Sequence, residues 1–237
     1  MFRIIPSIVL LFAMLIPSVP VWAIESVDVE AIKKKYWARG DESELGVVQN
    51  RLYTKTNKVA FSLLGGLVSA DPFLDVKALG GSLGYHLNEY FGIYLMGWKA
   101  SAASSSALET FERVSRVTAN TNKPQWYLGS ELAASLVYGK LSLLGRKIIY
   151  YDLHFLAGLG ATRTESGTSL TPSFGIGQAI WLTHQLALRI DYRLMPYRED
   201  IVEKVRPSLM GQIVDSRTNW SNVVTLGATF LLGGSEQ

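Results

Sequence analysis

The chain contains no cysteine, which excludes a disulfide framework and a thiolate zinc site. It carries little excess charge, with a formal net charge of +3, and no basic stripe marks a nucleic-acid surface. Past residue 23 there is no run of about 20 apolar residues, the length a helix needs to cross a bilayer. Histidine is scarce: His86, His154 and His184 share no close ligand spacing, so no metal site is expected. What the chain does hold is 21 glycines and 11% aromatic residues, spread through short alternating segments.

The first residues have their own pattern. A single basic residue, Arg3, precedes an apolar run from Ile4 to Ile16, and Val21-Trp22-Ala23 puts small residues before a polar stretch. That order predicts a cleaved export signal, residues 1–23. Its apolar core of about a dozen residues is short for a permanent span across roughly 30 Å of hydrocarbon. Residues 24–58 follow as a periplasmic segment: a helix over Val27 to Ala38 with Ser26 as N-cap, then a linker from Glu42 to Lys58. Lys33-Lys34-Lys35 reads as its solvated face.

From Val59 the period changes to two. Strands are predicted at about Val59–Leu67, Val76–Leu87, Phe91–Lys99, Gln125–Tyr138, Lys147–Ala161, Ser173–Leu182, Gln185–Tyr197 and Asn219–Leu232. The third is apolar on both faces, and its pattern assigns neither. The seventh alternates most strictly, Leu186, Leu188, Ile190, Tyr192 and Leu194 against Ala187, Arg189, Asp191 and Arg193. Such alternation fits a soluble sandwich or a membrane barrel. The connections favour the barrel: long ones after odd strands, up to Ala100–Pro124 and Pro196–Arg217, alternate with tight turns after even ones. Lipid offers no hydrogen bond to a strand edge, so the ring must close. The expected fold is therefore all-β, an antiparallel up-and-down transmembrane barrel over 59–232, with a tail at 233–237. Eight strands are expected, and ten would require recruiting Gly46–Thr54 and a loop.

Two sets of side chains stand out. Glu131, Asp152, His154, Arg189, Asp191 and Arg193 fall opposite the large aliphatics, where a lone ion would cost several kcal/mol and opposed charges can satisfy one another. They are the expected lumen network. Tyr85, Trp126, Tyr138, Tyr151, Trp181, Tyr192 and Trp220 lie near strand ends and suit interfacial girdles. Gly158-Leu159-Gly160 and Gly175-Ile176-Gly177 superficially suggest a phosphate loop, but a phosphate loop needs a helix after its glycines. Here they sit in β-patterned stretches, so they read as packing or bending positions and no cofactor is expected.

Tyr138-Gly139-Lys140 with Leu141-Ser142-Leu143-Leu144, Asp152-Leu153 before Gly158-Leu159-Gly160, Gly175-Ile176-Gly177-Gln178, Leu186-Ala187-Leu188-Arg189-Ile190-Asp191, and Gly80 to Tyr90 upstream resemble the outer-membrane β-barrel domain family best represented in myxobacteria. That resemblance spans roughly Val59 to Leu232 and implies a small barrel of the OmpA or OmpX type in the outer membrane, with no catalytic motif to carry over. Its expected partners are outer-membrane lipid, the barrel-assembly machinery, and a periplasmic or envelope protein met through residues 24–58. The favoured role is structural or surface interaction, with a plugged lumen and long outer loops. A narrow channel and a lipid-modifying hydrolase built around His154 are the alternatives.

Overall fold

The computed structural model describes residues 54–143 and 147–233. The expected signal, the helix over Val27 to Ala38, most of the linker and the tail from 234 lie outside the described residues. The rest is one sheet closed on itself: β1 (Val59–Ser69), β2 (Leu74–His86), β3 (Phe91–Ser104), β4 (Pro124–Leu143), β5 (Lys147–Thr164), β6 (Thr168–Trp181), β7 (Leu186–Val202) and β8 (Ile213–Leu232), each antiparallel to its neighbours. β1 closes the ring on β8, from Val59 opposite Leu232 to Ser69 opposite Asn222. The end where β1 begins and β8 finishes is the base, and the opposite end is the crown.

Every strand is longer than its apolar pattern suggests, mostly toward the crown. β7 runs on through Tyr197, Glu199 and Ile201, all inward and buried, paired with β8 as far as Val202 opposite Ile213. Pro196–Arg217 is thus no loop, and the connection is only 203–212. Likewise Thr162 to Thr171 forms the tops of β5 and β6, joined through 165–167. Two of the crown connections, 70–73 and 165–167, are therefore as tight as those at the base, and the alternation of long and short is weaker than the sequence suggests. The physical reason is that strand above the apolar belt keeps its ladder while its outer side chains become polar, which erases the period-two signal.

The outer wall is apolar. Phe61, Leu63, Leu83, Leu95, Leu128, Leu132, Phe155, Leu159, Phe174, Leu188, Leu226 and Phe230 all project outward and are exposed. β3, apolar on both faces, resolves into Phe91, Ile93 and Leu95 outside and Tyr94, Met96 and Trp98 inside. At the crown, α1 (Ser106–Ser115) fills part of the connection 105–123. Ser105 caps it by accepting the Leu108 N–H, and its Phe111 ring lies 5.5 Å from that of Phe73.

Candidate functional site

The interior is filled in storeys, and successive inward residues of β7 mark them. Nearest the base an apolar group, Ala60, Tyr94, Leu156, Ala179, Trp181, Ala187 and Leu231, packs across the lumen. Above it come Arg189, Asp191 and Arg193, then Met195 within a second apolar band with Leu64, Val76, Met96, Trp98, Tyr127 and Val223. Tyr197 and Glu199 follow at the crown.

The central storey brings the six expected network residues into one lumen. Arg193 grips Glu131 through two nitrogens, Nε to Oε1 at 3.0 Å and Nη2 to Oε2 at 3.1 Å. Its Nη2 also donates to Asp191 Oδ2 at 3.1 Å, and its Nη1 to Thr225 Oγ1 at 3.1 Å. Arg189 Nε lies 2.7 Å from Asp191 Oδ2, and its guanidinium sits 5.1 Å from the centre of the Tyr94 ring. His154 Nε2 is 2.9 Å from Asp191 Oδ1, and Ser173 Oγ donates to Glu131 at 3.0 Å. Arg193, Glu131 and Asp191 are fully buried. Forked guanidinium contacts of this kind are strong because the donor geometry matches a carboxylate.

The glycine motifs make room for these groups. A Cβ on Gly177 would collide with the Asp191 carboxylate and the His154 ring, and one on Gly158 would press on Glu131 Cγ and Ser173 Oγ. The repeated Gly-x-Gly therefore leaves space for charge rather than for phosphate.

One member of the network was missed. Lys55, assigned to the linker, enters the lumen from the base and is 2% exposed. Its Nζ donates to Asp152 Oδ2 and, at 3.0 Å, to Ser135 Oγ. The signal was a charge deficit: Glu131, Asp152 and Asp191 are three carboxylates against two arginines, and a buried excess anion demands a third cation. Next to Lys55, Tyr94 OH and His86 Nε2 are 2.9 Å apart. The cavity among Lys55, His86, Asp152, His154 and Arg189 measures about 30 Å³, room for about one water.

Ser135 stands opposite His154 across the β4–β5 ladder. A nucleophilic serine needs its hydroxyl hydrogen-bonded to the base. Here the hydroxyl takes the Lys55 ammonium and His154 Nε2 faces Asp191. No group of three or more acidic or histidine side chains placed to hold a metal occurs among the described residues.

The aromatic set divides. Tyr85, Trp126 and Trp220 project outward, Tyr85 toward the base and the tryptophans toward the crown, and Tyr151 faces the same outer side as Leu153 and Phe155. Tyr192 is also outward, but it lies in the interior of β7, where its hydroxyl donates to Asn222 Oδ1 at 2.6 Å. Tyr138 and Trp181 point the other way. A β-bulge between Ser135 and Val137 shifts the phase of β4, so Tyr138 pairs with Asp152 and stacks on Tyr150 at 6.1 Å inside the barrel. Trp181 shares the inward phase of Gly177 and Ala179, where the small Ala60, Ala179 and Ala187 leave volume for an indole.

A separate network closes the crown. Arg217 spans Glu199 Oε1 at 2.7 Å and Asp71 Oδ2 at 2.6 Å, while Asn122 and Asn219 donate to Glu199 at 2.9 and 3.1 Å. Beyond it, Glu203 accepts from Asn120 Nδ2 and from the backbone N–H groups of Val205 and Arg206, and these hydrogen bonds hold its carboxyl down at about 2. Burial pushes Glu165 upward, but the Lys204 ammonium and the Lys123 N–H outweigh it and leave its carboxyl below the usual range.

No family model matches the chain and no curated protein matches it, so the myxobacterial resemblance gains no support there. Among solved structures the chain is similar to the N-terminal β-barrel domain of Pseudomonas aeruginosa OprF, at 12% identity and TM-score 0.40 over 75% of this chain and 98% of that one. It is similar to Neisserial surface protein A (NspA) at 13% and 0.34, over 73% and 95%. A de novo designed transmembrane β-barrel gives 12% and 0.38, over 75% and 98%. Likenesses this weak say nothing of function, which has to follow from the barrel's own geometry.

Proposed function

We propose that this chain is an outer-membrane barrel with a structural or surface-interaction role: a solid, charge-plugged pin that keeps the segment preceding Lys55 on the periplasmic side and presents α1 and residues 203–212 outside the cell. The observation that carries the reading is the pairing of an apolar outer wall with an interior closed by matched ions, three carboxylates facing Lys55, Arg189 and Arg193. An apolar wall suits hydrocarbon, and only a ring without edges is stable there. An eight-strand ring has an interior that its own side chains fill. The base belongs in the periplasm because β1 begins and β8 finishes there and all its described connections are short.

Two experiments test this. Membrane fractionation of the expressing cell should place the protein in the outer membrane, and recovery in the soluble periplasm would sink the proposal. Planar-bilayer recording with refolded protein should show no steady conductance, and liposomes should not swell in sugar solutions. A large steady conductance would replace the plugged pin with the channel reading.

A further inference from the structure

The wall has a notch. The β3–β4 ladder stops at Lys99 opposite Trp126, whereas β3 continues to Ser104 paired with β2 alone. β4 enters at Pro124, which has no N–H to extend the ladder, and its next residue is bulged. Between the strands opens a groove of about 640 Å³ lined by Leu79, Gly97, Trp98, Lys99, Lys123 and Trp126.

Its floor and rim differ in character. Toward the base the outer wall is apolar, with Leu95 and Leu128 exposed, and Gly97 offers no side chain. The row Leu79–Lys99–Trp126–Arg163 crosses four neighbouring strands at the groove's level, and Lys77 stands one step higher on the face of Leu79. Lys77 and Lys99 form no ion pair among the described residues. Glu165, the one carboxylate in the lining, is engaged by Lys204 at 2.5 Å; Asp75 is the acidic neighbour on the outer face of β2. Trp98 lines the groove, 7% exposed, and its indole N–H has no acceptor among the described residues.

We infer that this notch binds a phosphorylated lipid of the outer leaflet, acyl chain along Gly97 and Leu79, phosphate among Lys99, Lys123 and Lys77. The inference rests on the barrel's proposed place in the outer membrane. Depth selects a lipid over a soluble anion: a tryptophan beside a lysine at the edge of an apolar belt marks the headgroup level, and clustered cations there recognise anionic headgroups. The flank of Ala100–Ser104, paired with β2 alone, supplies further polar groups from that row toward the crown.

The full chain, refolded into phosphatidylcholine vesicles containing a small fraction of a phosphorylated multi-acyl glucosamine lipid or its dephosphorylated form, should keep the phosphorylated one through detergent extraction, read by native mass spectrometry. Lys99→Gln with Lys123→Gln should reduce that retention on the order of tenfold, as removal of two headgroup-level cations implies, whereas Lys58→Gln at the base should not change it. Equal retention of the two lipids, or undiminished retention by the double variant, overturns the site while leaving the barrel in its membrane. Failure to insert into either vesicle, seen as complete digestion by added protease, overturns the membrane reading and the site with it.

Discussion

The lumen holds two ion networks with different physical status. In the centre, Arg193 and Asp191 are 1% exposed and every partner is another buried group. At the crown, the Arg217 side chain is 41% exposed while its partners Asp71 and Glu199 are buried. The Met195 and Trp98 band lies between them. Water can take over from the cation at the crown but not in the centre, so nearly equal distances carry unequal energies. A central charge is obligatory once its partner exists, whereas a crown charge is an adjustable fastening.

Substitutions should expose this inequality. The largest effect is expected from Arg193→Ala, which strands Glu131 and takes from Asp191 one of its two guanidiniums. Breaking a buried pair costs about 3–5 kcal/mol, against about 0–1 kcal/mol for Arg198→Ala, an exposed outer side chain held to Ser216 Oγ at 3.1 Å. Urea midpoints in vesicles give both values, and equal midpoints would mean that the centre is hydrated. Lys55→Ala comes next, at about 3 kcal/mol, the lower end of the buried-pair range, because Lys55 pairs with one carboxylate where Arg193 pairs with two. It should also expose residues 54–58 to protease while the strands remain protected, and unchanged proteolysis would mean that Lys55 does not hold this segment in the lumen.

Crown changes should be smaller. Arg217→Ala is expected to cost about 1 kcal/mol or less, because solvent reaches the site. A loss as large as that from Arg193→Ala would abolish the distinction between the two networks. The smallest effect is a local response to acid. Glu203 ionises at about 2 in the folded chain against an ordinary 4.5, so its fastening is intact above 4.5 and is lost as pH falls from there through 2. Hydrogen exchange should then show 203–212 opening in that window with β7 and β8 still protected. Protection that persists below 2 would show that the loop does not depend on this carboxylate.

The apolar-walled half of the fold was legible because the outer wall there has one polarity and the interior the other on every strand. Leu188 and Tyr192 against Arg189, Asp191 and Arg193 could be read directly. Above the belt that contrast disappears, and the inward Tyr197, Glu199 and Ile201 passed for loop. Tyr138 was misplaced because a single extra residue in β4 inverts all that follows, and a bulge leaves no compositional mark. Trp181 was misplaced because large aromatics serve equally as belt and as filling, and only the alanines facing it decide. Lys55 lay outside the alternating region altogether, and its place was implied only by the unbalanced carboxylates.

The pairing of β1 with β8 also orders events in time. Val59 and Leu232 are ring neighbours, so the first strand keeps a bare edge until the last one exists. Loop-closure entropy makes such distant contacts slow to form. A chain ending before Ile213 would leave both edges open with the plug already charged. Such a product should be a substrate for proteases rather than a smaller barrel, and assembly is accordingly all or nothing.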